Sequence, residues 1–152
     1  MICIYSNQYR EIADLFHASV HGLAHQAYTL EQIQAWCPDN PDYEKWKAQL
    51  EKTNPYLFII DNSIAGFVEL EKCGHIDRFY VHPQFARRGV ATALLKHVFV
   101  VARSDGLKLL YTEASHLIKP LFENHGFKTI RRNVVSRNGI ELDNWIMECT
   151  LG

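Results

Sequence analysis

Cysteine is scarce in this chain, and what there is lies far apart. Cys3, Cys37, Cys73 and Cys149 form no CxxC pair, so neither a zinc framework nor a disulfide scaffold is expected. Thiols dispersed in this way read as reduced, which points to a cytoplasmic protein. No apolar run approaches the roughly 20 residues of a membrane-spanning helix. The start, Met1-Ile2-Cys3-Ile4-Tyr5, lacks the basic region and long apolar stretch of a signal peptide, so no leader is expected. Neither sign of charge dominates. Lys and Arg number 16 against 17 Asp and Glu, a formal net charge of -1, which provides no basic field for nucleic acid. There is no complete G-x-G-x-x-G turn and no repeated βαβ order, which excludes a dinucleotide oxidoreductase. Repeats, low-complexity tracts and linkers are absent too. The 152 residues, 47% hydrophobic and 22% charged, are those of a single domain spanning 1–152.

The pattern that remains predicts a mixed fold. Ile2 to Tyr5 reads as a short strand. Asn7 is placed to cap a helix to about Ala27, on whose apolar stripe stand Ile12, Leu15, Phe16, Val20 and Leu23. Thr29 caps a second helix, Leu30 to Trp36, broken by Pro38 and Pro41. A third runs from Asp42 to Lys52. Tyr56–Ile60 and Ile64–Leu70 make a hairpin through Asp61-Asn62-Ser63, and His75–Val81 is the next strand. A helix from about Gly89 to Ser104 follows, then a strand from Leu107 to Thr112. Ser115 is placed to cap a helix that stops before Gly126. Asn138-Gly139 joins two last strands, Phe127–Ser136 and Ile140–Thr150. The order β-ααα-βββ-α-β-α-ββ suggests one mixed sheet with helices on both faces. An edge strand near the C-terminus leaves a homodimer open.

The stretch from Val81 to Leu95 is the most informative. An apolar strand runs into a basic, glycine-containing turn (Arg87-Arg88-Gly89), and a helix begins at once. Gly89 lets the backbone come close to a ligand, and the first amides of a helix are unpaired donors at its positive end. This order builds a cradle for a pyrophosphate. With Gly89 and Ala91 at its small positions, the turn resembles the [QR]-x-x-G-x-[GA] motif of the GNAT superfamily of acetyl-CoA-dependent N-acetyltransferases, although Ala86 replaces the usual Gln or Arg. Leu121-Phe122-Glu123-Asn124-His125-Gly126-Phe127 is similar to that family's helix end. Tyr28 to Trp36 and Asn144 to Glu148 resemble a bacterial branch whose substrates are poorly defined.

The resemblance implies an α/β (α+β) fold: a mostly antiparallel sheet of about seven strands with helices on both faces. It implies acetyl-CoA as cosubstrate and a primary amine, of a small molecule or peptide, as acceptor, attacking directly in a ternary complex. The pantetheine would pair with Phe79, Tyr80 and Val81, and the pyrophosphate would sit on the amides of Arg87, Arg88, Gly89, Val90, Ala91 and Thr92. Ser115 stands where many relatives have a pantetheine-binding Asn. Phe122, placed at the cofactor, stands where relatives carry a proton-donating Tyr and cannot donate. Tyr80, Tyr111, Ser115 and His116 are the replacements, or solvent suffices. That gap motivates an alternative, a non-catalytic acetyl-CoA sensor.

For the base, period-two alternation puts His75, Asp77, Phe79 and Val81 on one face of their strand. His75 falls where the resemblance places a glutamate base, and histidine titrates near neutrality. Asp77 could orient it or bind the amine; Glu69 and Glu113 are further candidates. Tyr28, Trp36 and Trp145 would line an acceptor pocket unless they are plain core. His17, His21 and His25 recur every four residues, but they align with Arg10 and Asp14 on a polar stripe. With no clear carboxylate or cysteine partner for them in the sequence, no metal is expected.

Overall fold

The computed structural model describes residues 1–152. Its strands are β1 (Ile2–Ile4), β2 (Tyr56–Ile60), β3 (Ser63–Leu70), β4 (His75–Val81), β5 (Leu109–Ala114), β6 (Lys128–Arg137) and β7 (Ile140–Thr150). Its helices are α1 (Tyr9–Leu23), α2 (Leu30–Trp36), α3 (Tyr43–Thr53), α4 (Val90–Ser104) and α5 (Lys119–Asn124). The strands form one seven-stranded sheet in the order β1-β2-β3-β4-β5-β7-β6. Only β4 and β5 run parallel. No helix is long and apolar enough to cross a membrane.

Local chemistry explains most of the boundaries. Thr29 and Gln32 close a reciprocal capping box on α2, and Asp42 accepts the Lys45 amide at the start of α3. Both hairpin turns carry paired positive φ angles, Asp61-Asn62 (49° and 63°) and Asn138-Gly139 (51° and 78°), the twist that tight hairpins favour. Two predicted caps are not made. The Gln8 carboxamide takes the Ser6 and Asn7 amides, so α1 begins at Tyr9 without a side-chain cap from Asn7. Ser115 lies too far upstream to cap α5 through its hydroxyl; its carbonyl accepts the Lys119 amide instead.

Two apolar layers sandwich the sheet. On one face α4 buries Val90, Leu94, Leu95, Val98, Phe99 and Ala102, a stripe at helical spacing, against Val68, Ile76, Phe79 and Met147. On the other face Ile12, Leu15 and Leu50 of α1 and α3 cover Leu57, Ile64 and Phe67. Gly66 sets how closely α4 can lie. A β-carbon there would stand 2.9 Å from Val90 Cγ1 and 3.0 Å from the Tyr80 carbonyl. The first turn of α4 is thereby seated directly on β3.

The centre of the sheet has two irregularities. Between Val68↔Phe79 and Leu70↔Ile76 the register shifts, so that Asp77 and Arg78 together oppose Glu69. This is a bulge, and it breaks the expected alternation. Ile76 and Phe79 share the α4 core, so His75 and Phe79 do not lie on one continuous face. Second, β4 and β5 pair only at His75↔Tyr111 and Ile76↔Thr112. Beyond that point β5 stays with β7 and β4 stays with β3, and the strands part. The buried Thr112 hydroxyl donates to the Ile76 carbonyl (2.9 Å) where the opening starts. Thr112→Val preserves shape but leaves that carbonyl without this donor. We expect a loss of about 1–2 kcal/mol in urea unfolding, with secondary structure intact; an unchanged midpoint would show that the bond is dispensable.

Candidate active site

The parting of β4 from β5 opens two cavities that meet. The smaller, about 340 Å³, is mostly apolar and is lined by Phe79, Val81, Arg87, Gly89, Ala91 and Thr92 among others. The larger, about 760 Å³, is more polar and includes Asp77, Arg78, Glu113, Arg137 and Asp143 in its walls. Trp36, Phe79, Tyr80, Ser115 and Ile118 border both.

The smaller cavity ends at the turn before α4. Arg87 (φ 62°) and Gly89 (φ 79°) are both left-handed, which turns successive amides the same way. The amides of Arg87, Arg88, Gly89, Val90, Ala91 and Thr92 have no hydrogen-bond partner in the protein. A β-carbon on Gly89 would meet nothing within 4 Å, so glycine is there for its backbone angle and for the open space before it. Six amides at the positive end of a 15-residue helix, beside Arg87, can hold an anion. The Arg88 guanidinium lies over the Phe85 ring (5.4 Å) and does not line the cavity, so Arg88 presents its amide alone. Phe122 is 1% exposed, packs against Phe79 and Phe127, and lines the larger cavity instead of the smaller one.

The acid–base candidates separate. His75 lines neither cavity. Its Nδ1 lies 2.6 Å from Glu71 and its Nε2 2.9 Å from Glu113. The Glu113 bond outweighs partial burial, and with Glu71 it raises the imidazole to about 9. A ring protonated on both nitrogens cannot accept a proton, so His75 is not suited to be the base. Glu69 is fully buried, and Thr53 and Arg78 occupy its oxygens (Arg78 Nη2 at 2.8 Å). It holds Arg78, whose guanidinium stacks 4.0 Å above Trp46, at the cavity wall. Tyr111 also lines neither cavity; its hydroxyl meets Cys73 Sγ at 3.2 Å.

Asp77 does face the larger cavity. Asp77 is exposed to solvent at the cavity, but the protein packed around its carboxyl desolvates it in part. With the nearby Glu69 charge this raises it above the ordinary value, against His75 and Arg78, which lower it. Burial pushes the Tyr80 hydroxyl far up, so Tyr80 keeps its proton at the junction. Ser115 stands at the same junction.

One network was not legible in the sequence. Trp145 Nε1 donates to His116 Nδ1 (2.8 Å), and His116 Nε2 meets Asp143 Oδ2 at 3.1 Å. An Nδ1 that accepts carries no proton, so Nε2–H is the donor to Asp143. Tyr28 stacks on the ring (4.9 Å), accepts the His116 amide and donates to the Asp143 carbonyl. Tyr28 and Trp36 line the cavity as expected, while Trp145 braces His116 from behind. Asp143 had no local signal, because β7 brings it to His116 only through long-range pairing.

Comparison with known proteins agrees with this geometry. Residues 24–150 match the model of the acetyltransferase (GNAT) domain. The chain is 33% identical over 139 residues to the uncharacterized N-acetyltransferase YafP of Escherichia coli K12, covering 91% of this chain and 87% of that protein. A GCN5-related N-acetyltransferase from Rhodopseudomonas palustris superposes with a TM-score of 0.94 at 30% identity, covering 99% of this chain and 95% of that one. Salmonella typhimurium YncA, solved with acetyl-CoA, shares the fold at a TM-score of 0.74 and 16% identity, over 100% of this chain and 94% of its own. The chain belongs to the GNAT family of N-acetyltransferases.

The ion triad around His75 has a measurable consequence. Its folded pKa, about 9, stands above the ordinary 6.5, so its stabilisation is fully present below pH 6.5 and is lost as pH rises through about 9. After discounting for the solvent-exposed carboxylates, we expect His75→Gln to cost about 1–2 kcal/mol at pH 6 and much less at pH 10. A cost that does not change with pH would show that His75 is uncharged in the fold.

Proposed function

We propose that this chain transfers an acetyl group from acetyl-CoA to a primary amine of a small molecule or peptide, by direct attack in a ternary complex. The observation that carries it is the meeting of an apolar, anion-ended cavity with a polar one at Phe79, Tyr80 and Ser115. The pyrophosphate sits on the amides from Arg87 to Thr92. The pantetheine runs along the edge of β4 from Phe79 to Val81, which no neighbouring strand covers. Its thioester then reaches the junction, and the amine approaches from the larger cavity.

In that cavity Asp77 receives the ammonium group and takes its proton, directly or through water. Its raised carboxyl brings it closer to the task than an ordinary aspartate. The amine nitrogen attacks the carbonyl carbon, a main-chain amide of β4 stabilises the oxygen, and the carbon–sulfur bond breaks. The coenzyme leaves as thiolate. Ser115 and Tyr80 are the hydroxyl-bearing side chains at the junction to meet it, because Phe122 has no proton to give. Phe122 is also the one feature favouring a non-catalytic acetyl-CoA sensor. Amine-dependent release of free thiol, assayed over polyamines, aminoglycosides, amino acids and peptides, decides between the two.

Two variants test the parts separately. Gly89→Glu places a carboxylate in the cradle with nothing in the fold to clash against. The left-handed angle costs about 1–2 kcal/mol, so the protein should stay folded while coenzyme A binding by calorimetry falls at least a hundredfold. Retained affinity would remove the cradle from the mechanism. Asp77→Asn should lower kcat by about 10²–10⁴ with coenzyme A affinity unchanged, and should abolish the acidic limb of the kcat/KM profile. A profile identical to wild type would exclude Asp77 as base.

A further inference from the structure

The histidine run on α1 acquires in the fold the partner that the sequence did not show. His17 and His21 stand one turn apart, their rings stacked at 4.1 Å with planes 16° apart. The segment between α2 and α3 carries Asp39 against them. Asp39 Oδ1 lies 3.4 Å from His17 Nε2, within hydrogen-bond reach, and 3.9 Å from His21 Nε2, whose hydrogen bond goes to the Cys37 carbonyl instead. Ligand atoms from the three side chains all lie within 4.8 Å of one another. Around a tetrahedral ion with bonds of 2.0–2.1 Å, neighbouring ligand atoms are about 3.4 Å apart. To close the set the two imidazoles must leave their stacked, near-parallel arrangement so that both Nε2 lone pairs converge on one point. Gln34 Nε2 donates to both Asp39 oxygens (3.3 and 3.4 Å), the kind of outer support that orients a ligating carboxylate. The histidine side chains are 31% and 23% exposed and Asp39 66%, so an ion can enter from solvent.

We propose that His17, His21 and Asp39 form a three-ligand site for a divalent transition metal of the zinc, cobalt or nickel type. Two imidazoles with one carboxylate suit these ions over magnesium or calcium, which prefer all-oxygen shells. The ion displaces the proton on His21 Nε2, which bonds the Cys37 carbonyl at 2.7 Å. Losing that bond, and filling the other positions with water, sets the affinity in the micromolar range rather than that of closed four-ligand sites. Trp36, Pro38 and Asp42, in and beside the same segment, line the larger cavity. A bound ion ties that wall to α1.

The test needs no acetyl transfer. The full chain, without an affinity tag and stripped with EDTA, is titrated with cobalt(II) chloride by visible absorption and with zinc chloride by calorimetry. We expect saturation at one ion per chain with ligand-field bands. His17→Gln and Asp39→Asn should each weaken binding roughly tenfold or more. His25→Gln, the third histidine of the run, should leave it unchanged. No saturable binding below about 1 mM, or a loss smaller than tenfold in either ligand variant, would overturn the site. Variants of His17 and Asp39 are chosen because His21 also bonds the main chain, and its loss could act through folding.

Discussion

Past Ile76 and Thr112, β4 and β5 cease to be neighbours, and both cavities depend on that separation. Parallel strands that stayed paired would satisfy each other's main-chain groups and leave no room between them. Here β5 continues its ladder with β7 and β4 continues with β3, so both remain anchored while the gap between them widens. The edge of β4 that faces the gap is left without a neighbouring strand, and the proposed placement of the pantetheine rests on that edge. Thr112 closes the apex with one buried hydrogen bond. The bulge beside it turns Ile76 and Phe79 to the same core and leaves Asp77 at the cavity.

The charges around this opening are sorted by burial and pairing. Glu69 and Arg78 form a pair within the wall, and each would be costly to leave alone there. His75 is held between two carboxylates, so it serves as a fixed cation that joins β4 to β5 and to the preceding turn. Asp77 is the carboxylate without such a lock, and desolvation favours its protonated form. At the other end of the cavity Arg132 and His116 hold Asp143 ionised against its burial. In the proposed cradle the amides of the helix start supply most of the field without side-chain charge. That is why Arg88 can turn away to Phe85.

Much of the fold was legible in local sequence. Element order, the two hairpin turns, the Thr29 cap and the glycine turn before α4 are all expected from it. Each depends on residues within a few positions of one another. The bulge was not legible, because two residues opposing one is a property of a strand pair and not of either strand. The period-two rule therefore misassigned His75 to a shared face with Phe79. The α1 histidines show no carboxylate partner in the sequence, because Asp39 lies 22 residues from His17. Asp143 reaches His116 by the same kind of long-range pairing.

By itself, then, the amino-acid order determined that a strand enters a glycine-containing turn and leaves as a helix, and that a mixed sheet surrounds it. Backbone angles, caps and periodicity act over a few residues, so they can be read from a string. Tertiary structure alone decided which carboxylate faces the cavity, which histidine is held charged by its neighbours, and which acid stands beside the α1 histidines. Those outcomes depend on distance through space, solvent exclusion and competing partners, quantities that do not exist until the chain has folded.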